Sequence, residues 1–383
     1  MNRTIQLAHG GGGQLTAELV AEVILPSLGA DVSAQDPRAL ADAAVVTAPA
    51  HSCGAGVSPA RPEGVPPSET PANRQDVLPR QDQRGRDARA TSAGAMWALT
   101  TDSYVVWPLE FPGGDIGRLA VCGTVNDLAV CGAAAAGLSL ALVLEEGLEV
   151  ALLRRVLVSA GRSAKQAGVR IVTGDTKVVE RGGLKGMVVN TSGVGVVSPS
   201  ARLGFGCVKP GDRLVLTGPL GEHGLAVLCH RQGLRTELSS DCAPLNGLCR
   251  DLIDHLGPEV RWMRDPTRGG LAAAVCDLAN GCGMGIELDE LALPQHRTAR
   301  AASEMLGLDL LTVANEGKLL AVVSPQTADQ AVTILRRHEI AAHAAVIGTV
   351  TQSSRHPLVE LLTTIGGRRI IQMPYGEELP RIC

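Results

Sequence analysis

Two kinds of side chain in this sequence are placed for chemistry: a cysteine at its last position, and aspartates at the ends of apolar runs. The 383-residue sequence closes Pro380-Arg381-Ile382-Cys383. A thiolate is both a good nucleophile and a good leaving group, and chain termini are usually the most mobile part of a domain. Cys383 therefore suits a group carrier. Read alone, it is equally an incidental thiol.

The aspartates stand where a core would not choose them. With residues 116–128 read as a helix at 100° per residue, Ile116, Leu119, Ala120 and Gly123 form one stripe, and Asp127 falls within about 20° of Ile116. An unpaired buried carboxylate costs several kcal/mol, so Asp127 must be paired, protonated or bound to a cation. Asp102 interrupts an apolar strand, Asp42 precedes another, and Asp175 follows Ile171-Val172-Thr173-Gly174 where that strand meets a loop. Each taken singly also reads as a cap or turn residue. Together they offer the oxygen ligands that Mg²⁺ takes when it accompanies a nucleotide phosphate.

Two further segments resemble phosphate contacts. His9-Gly10-Gly11-Gly12-Gly13-Gln14 presents amides that could wrap an anion, although a glycine run is also a plain linker and GxxxxGK[ST] is absent. Asp265-Pro266-Thr267-Arg268-Gly269-Gly270 reads as a helix start, with Asp265 at the N-cap and Pro266 at N1 of a helix over 267–281. Arg268 and the two glycines are more than a cap requires.

These residues need a scaffold. The composition is 45% hydrophobic with only 2% aromatic residues and 45 glycines, which suits an aliphatic α/β enzyme of two domains. A net charge of −4 without a basic block argues against a nucleic-acid surface. The ten cysteines are scattered singly without a CxxC pair, most of them, including Cys122, Cys131 and Cys276, in apolar runs. That pattern reads as buried free thiols in a reducing cytoplasm. The N-terminus lacks a signal-peptide core, and the apolar run Leu128 to Leu144 reads as a helix end followed by a buried strand, so no membrane span is expected.

Residues 48–96 hold seven of the 22 prolines and six arginines among five acids, the composition of a disordered insert. The insert separates two strand-like runs, 42–47 and 97–106, that are expected to pair as a hairpin. Beyond them the sequence predicts a helix at 115–131, a strand at 138–144, a helix at 149–167 and strands at 169–173 and 187–197. After loop signals at 198–211, a second block carries strands near 213–217, 318–323 and 345–350 and helices near 223–233, 243–256 and 267–281. The expected units are residues 1–47 with 97–200, the insert 48–96, a second domain 208–351 and a tail 352–383.

The segment His9 to Gln14 with Leu15-Thr16, Thr101-Asp102-Ser103, Phe111-Pro112-Gly113-Gly114-Asp115, Thr124-Val125-Asn126-Asp127-Leu128-Ala129, Gly174-Asp175-Thr176-Lys177, Asp265 to Gly270, Asn315-Glu316-Gly317-Lys318 and the terminal PRIC together resemble the HypE family of hydrogenase maturation proteins. The likeness covers nearly the whole chain except 48–96. The family sits in the PurM-like superfamily of aminoimidazole ribonucleotide synthetase, selenophosphate synthetase and thiamine monophosphate kinase.

The resemblance implies an α/β (α+β) fold of two PurM-like domains, a β-barrel spanning a homodimer, and ATP and Mg²⁺ near that junction. It further implies that a HypF-type carbamoyltransferase loads Cys383, that the carbamoyl group is dehydrated to a thiocyanate, and that the cyano group passes to iron on a HypC-HypD complex. On this reading Asp42, Asp102, Asp127 and Asp175 hold Mg²⁺ and phosphate, Asn126 and Arg268 contact nucleotide, and Glu316 is the base, acting directly or through Lys177. A Glu316-Lys177 salt bridge is the plain structural alternative. His223 reads as a loop or helix-start residue. Selenophosphate synthetase would place a reactive Cys or selenocysteine and a Lys in the glycine-rich segment, where residues 9–14 have neither. A scaffold that binds ATP only to control tail docking is the non-enzymatic alternative.

Overall fold

The computed structural model describes residues 4–11, 14–29, 95–352 and 357–374. Asp42, the first expected strand, Gly12, Gly13, the insert up to residue 94 and the terminal Cys383 lie outside the described residues.

The chain enters through a 3-10 turn, Leu7–Gly10, and a helical stretch made of α1 (Gln14–Leu19), a π turn and α2 (Leu25–Leu28). After β1 (Trp97–Tyr104), the two-residue strands β2 (Glu110–Phe111) and β3 (Gly114–Asp115) lead into α3 (Ile116–Val130). Asp115 caps α3, its side chain accepting from the N–H groups of Gly117 at 2.8 Å and Arg118 at 3.1 Å. β4 (Ala133–Glu145), α4 (Val150–Ala167), β5 (Ile171–Val179) and β6 (Met187–Val197) complete the first domain. Gly168, at φ 66°, ends α4 in the left-handed conformation that stops a helix at little steric cost.

Four of these strands form a sheet ordered β1-β6-β4-β5, which among the described residues has β1 and β5 as its edges. One face carries Leu138, Leu140, Leu142 and Leu144 into a core closed by α3 and α4. The opposite face mixes Ala141, Val143 and Val188 with polar pairs: Ser192 donates to Thr101 Oγ1 at 2.8 Å, and Asn190 donates to Ser103 Oγ at 3.0 Å. A sheet with one face covered by helices explains the alternation of buried and half-buried residues along β4 and β6. The barrel expected from the resemblance is an open sheet within one chain.

The second domain comprises β7 (Arg213–Leu216), α5 (Glu222–Arg231), α6 (Asn246–Leu256), β8 (Val260–Arg264), α7 (Gly270–Cys282), β9 (Gly285–Asp289), α8 (Arg297–Leu306), β10 (Leu320–Val323), α9 (Ala328–Leu335), β11 (Ala345–Thr351), β12 (Val359–Leu362) and β13 (Arg368–Ile371). Its seven strands are ordered β13-β12-β9-β11-β7-β10-β8, antiparallel except for β12 against β9. Leu214, Leu216, Leu320 and Val322 face a core with α5, α7 and α8, whereas Val215, Ala321 and Val323 face a second core with α6 and α9. Both faces are covered, which is why β10 reads as an unbroken apolar run.

Residues 357–374, expected within a tail, instead extend this sheet by two strands. Cys131, expected in a buried run, is exposed just past the end of α3, while Cys122 and Cys276 are buried. The eight cysteines among the described residues are free thiols. Among those residues no helix is long and apolar enough to cross a membrane.

Candidate functional site

The site lies where the end of α3 meets the loops of the second domain. β1 and α3 supply its first carboxylates. Thr100 Oγ1 donates to Asp127 Oδ2 at 2.7 Å, and Tyr104 OH donates to Asp102 Oδ2 at 3.2 Å. Thr100, Asp102 and Tyr104 alternate along β1 and so share the face turned toward α3. Tyr104 is packed so closely on Gly123 that a Cβ there would collide with its ring and hydroxyl, which accounts for the small residue within VCGTVND.

The segment Asn315-Glu316-Gly317-Lys318 approaches from the second domain and is held at nearly every polar group. The Asn315 side chain accepts from Gly221 N–H at 2.7 Å and donates to the carbonyls of Pro266 and Val313, both at 3.1 Å. The N–H groups of Glu316 and Gly317 donate to the two carboxylate oxygens of Asp241 at 3.1 and 3.0 Å. The Glu316 carbonyl accepts from the buried Asn126 amide at 3.4 Å, and Lys318 pairs with Glu222 at 2.8 Å and Asp241 at 3.1 Å. Each member of the NEGK motif thus has an identifiable physical task.

Asn126 was expected to touch nucleotide. In the structure it is fully buried and bridges the two domains: its amide nitrogen also donates to Ala243 O at 3.1 Å, and its oxygen accepts from Leu245 N–H at 2.7 Å. His223, at the start of α5, sits edge-on to Phe111 with ring centroids 5.4 Å apart, and its Nδ1 lies 2.8 Å from Ser240 Oγ. A Cβ on Gly113, whose φ is 87°, would strike Ser239 and Ser240. The FPGGD and GEHG motifs are therefore parts of the domain junction.

Electrostatics single out four acids. Glu316 is 2% exposed, and burial together with Asp265, Asp241 and Asp102 pushes its carboxyl well above the usual range. Burial and the nearby Asp127 raise Asp265 to about 7. Asp127 is raised by burial and by Asp102 against the hydrogen bond from Thr100, and the Tyr104 phenol is raised by burial, Asp102, Glu316 and Asp127. Mutual repulsion among Asp102, Asp127, Asp265 and Glu316 is relieved by protonation or by a hard divalent cation, so the donor set fits Mg²⁺ in chemistry. Among the described residues no three His, Cys, Asp or Glu side chains close around one metal position. Asp42 is outside them.

Asp265 is the acid that sequence reasoning placed otherwise. It is not an N-cap: α7 begins at Gly270 with Gly269 as its cap, because both glycines take positive φ, 74° and 60°, and hold the DPTR segment out of the helix. Asp265 is buried on that turn, while Arg268 is exposed farther along it. An acid followed by Pro and a Gly-Gly pair was the signal available in the sequence.

Asp175 and Lys177 do not join this cluster within one chain. They lie exposed on edge strand β5, paired to each other at 3.0 Å, and the hydrogen bond from Lys177 holds the Asp175 carboxyl below its ordinary value. The register runs Asp102 to Thr191 to Leu140 to Gly174, so three strand spacings, roughly 14 Å, separate the two groups. The glycine-rich entry segment belongs with the second group, since a Cβ on Gly10 would collide with the backbone of Val178.

Comparison with known proteins agrees with this architecture. Residues 85–197 match the N-terminal domain model of AIR synthase related proteins, and residues 209–359 match the C-terminal domain model. The chain is 42% identical to carbamoyl dehydratase HypE of Rhodobacter capsulatus over 381 residues, covering 99% of this chain and 98% of that protein. It is 44% identical to carbamoyl dehydratase HypE of Escherichia coli K12, over 79% of this chain and 90% of that one. Among solved structures, hydrogenase maturation protein HypE in complex with ATP superposes with a TM-score of 0.81 at 36% identity, covering 99% of this chain and all of that one. A HypE-HypF complex superposes with a TM-score of 0.71 at 43% identity, over 74% of this chain and 92% of the matched chain.

Proposed function

This chain belongs to the HypE family of carbamoyl dehydratases, within the AIR synthase related proteins, and on that premise we propose that it is an ATP-dependent enzyme that dehydrates a carbamoyl group carried on Cys383 to a thiocyanate. The observation that carries the reading is the burial of Glu316 among Asp265, Asp241 and Asp102, which raises its proton affinity above that of an ordinary carboxylate.

The chemistry requires activation because an amide oxygen is a poor leaving group. In the reaction proposed, the carbamoyl oxygen attacks the γ-phosphorus of ATP, ADP leaves, and one N–H proton is lost. Loss of the second N–H proton with expulsion of phosphate leaves the nitrile on sulfur. The balance is one ATP and one thiocarboxamide giving ADP, phosphate and a thiocyanate. Glu316 accepts protons from the carbamoyl nitrogen, directly or through Lys177. Asp42, Asp102, Asp127 and Asp175 are assigned to Mg²⁺ and phosphate, with Asp265 added, and Arg268 to nucleotide. Bound Mg²⁺ would supply charge neutralisation at the phosphates.

The separation of Asp102 from Lys177 supports a homodimer. Among the described residues both edge strands of the first sheet are unpaired, and a two-fold copy that sets β1 beside the partner's β5 would close an eight-stranded barrel and remove both edges. The edge that carries one subunit's Asp102 then lies beside the edge that carries the other's Asp175 and Lys177. HypF-type loading of Cys383 fits the HypE-HypF complex known for a relative. Delivery of the cyano group to iron on a HypC-HypD complex completes the role in [NiFe]-hydrogenase assembly.

The test is Glu316→Gln. The variant should bind ATP and hold the carbamoyl adduct while losing water at least about a hundredfold more slowly. A rate near that of the parent would remove Glu316 from the mechanism.

A further inference from the structure

Asp241 lies outside every motif discussed above, yet it holds three consecutive residues of the NEGK segment. Its two carboxylate oxygens accept from consecutive backbone N–H groups, Glu316 at 3.1 Å and Gly317 at 3.0 Å, and the second oxygen also receives Lys318 Nζ at 3.1 Å. The Asp241 side chain is 2% exposed. A Cβ on Gly317 would run into the Asp241 carbonyl oxygen, so the two backbones are in direct contact. We infer that Asp241 is a positioning residue for dehydration, which fixes the Glu316 carboxylate at the reacting centre by clamping its peptide and the next.

The inference rests on the reading of Glu316 as the base. Two N–H groups in succession aimed at one carboxylate fix the backbone torsions between them, and a charged acceptor makes each bond stronger than a neutral one would. The clamp is completed from the opposite side, where the Glu316 carbonyl accepts from Asn126 Nδ2 and from Ala243 N–H, both at 3.4 Å. Asp241 is itself anchored through its neighbours: Arg118 Nε donates to Cys242 O at 2.7 Å, Cys242 N–H donates to Ser240 Oγ at 3.1 Å, and Ser240 N–H donates to Pro112 O at 2.8 Å. Segment 240–243 therefore carries the position of α3 and of the FPGGD turn to the base.

The charge of Asp241 is compensated in place. Burial would favour its neutral form, but Lys318 and His223 outweigh burial and hold the carboxyl below its ordinary value. Lys318 stays charged against its own burial through Asp241 and Glu222. The ionised carboxylate that two N–H donors require is thus the form present. Replacement by Asn keeps the shape but turns an NH₂ toward a backbone donor and toward Lys318, leaving one N–H without an acceptor.

The experiment uses the full chain carrying carbamoyl on Cys383, mixed with Mg-ATP and followed by intact mass for the first-order loss of water. Asp241→Asn should slow that loss at least about tenfold, as expected for a displaced catalytic group, while ATP affinity stays within about twofold. The double variant Asp241→Asn with Lys318→Met removes the buried ammonium that Asp241 no longer helps to balance; it should recover the melting temperature and keep the slow rate. A parent-like rate in Asp241→Asn, or recovery of rate together with melting temperature in the double variant, overturns the inference. If the single variant does not fold, the double variant is read alone by the same criterion. Glu316→Gln run in parallel separates the two levels: a parent-like rate there overturns the base assignment, whereas a slow Glu316→Gln beside a parent-like Asp241→Asn overturns only the role of Asp241.

Discussion

Asp102 and Asp175 stand on the two opposite edge strands of one sheet, at neighbouring levels of the same register but about three strand spacings apart. Two groups of acids that read as one cluster in the sequence are separate in a single chain. In the homodimer proposed above, pairing of β1 with a second copy's β5 would bring the two edges together.

Subunit complementation follows from that arrangement. Asp102→Asn and Lys177→Ala should each abolish dehydration as homodimers. Unfolded together and refolded as a mixture, they should form heterodimers in which one site has both defects and the other has neither, restoring about one quarter of parental activity. Recovery of none, with heterodimers verified by mass, would place each site within one chain.

Asn126 gives a stability prediction independent of chemistry. Its side chain makes three hydrogen bonds to the backbone of the second domain from a fully buried position. Asn126→Ala leaves Leu245 N–H without its acceptor and should cost on the order of 2 kcal/mol or more in chemical denaturation. A loss of ATP affinity with unchanged stability would instead favour a direct nucleotide contact.

Asp265 sets a pH dependence for the metal-free protein. Its carboxyl titrates at about 7 in the folded chain against an ordinary 3.8, so between those values the folded state holds a proton that the unfolded state has released. The stability tied to this group is full below about pH 4 and is lost as pH rises toward 7, by at most about 4 kcal/mol. Asp265→Asn should therefore melt higher than the parent at pH 7 in chelator, with a smaller difference at pH 5. Parallel curves would show that Asp265 ionises normally.

Much of this was legible in the sequence, for physical reasons that differ by element. The helix at 116–130 and the strand after it were readable because their apolar runs are long and their ends carry Asp115 and Gly132. The N-terminal helical stretch escaped notice because Pro26 and a π turn break its pattern. Strands 260–264 and 285–289 are five residues each, too short for a period to show. Helix 297–306 buries only Ala299, Ala302 and Ser303, small side chains that give little apolar signal. For the site, the motifs singled out Asp102, Asp127 and Glu316, which the structure brings into one cluster of acids, but Asp265 looked like a cap. Asp241 had no motif at all, since its importance comes from a backbone clamp that sequence does not encode locally. The junction role of Asn126 was not legible, because a buried junction amide and a binding amide read alike in a sequence.

The proposed role of Cys383 gives a further check. Adding residues after Cys383 should leave ATP binding unchanged and block dehydration; cyanation at the parental rate would show that a free end is not required.

The central claim is that the carbamoyl group is dehydrated on this protein, and intact-mass measurement of Cys383 tests it most directly. After loading by a HypF-type carbamoyltransferase with carbamoyl phosphate, addition of Mg-ATP should convert the carbamoyl adduct to a species one water lighter, with one ADP released for each adduct consumed. ATP turnover with the carbamoyl adduct retained intact would contradict the account and identify an ATP-gated scaffold instead.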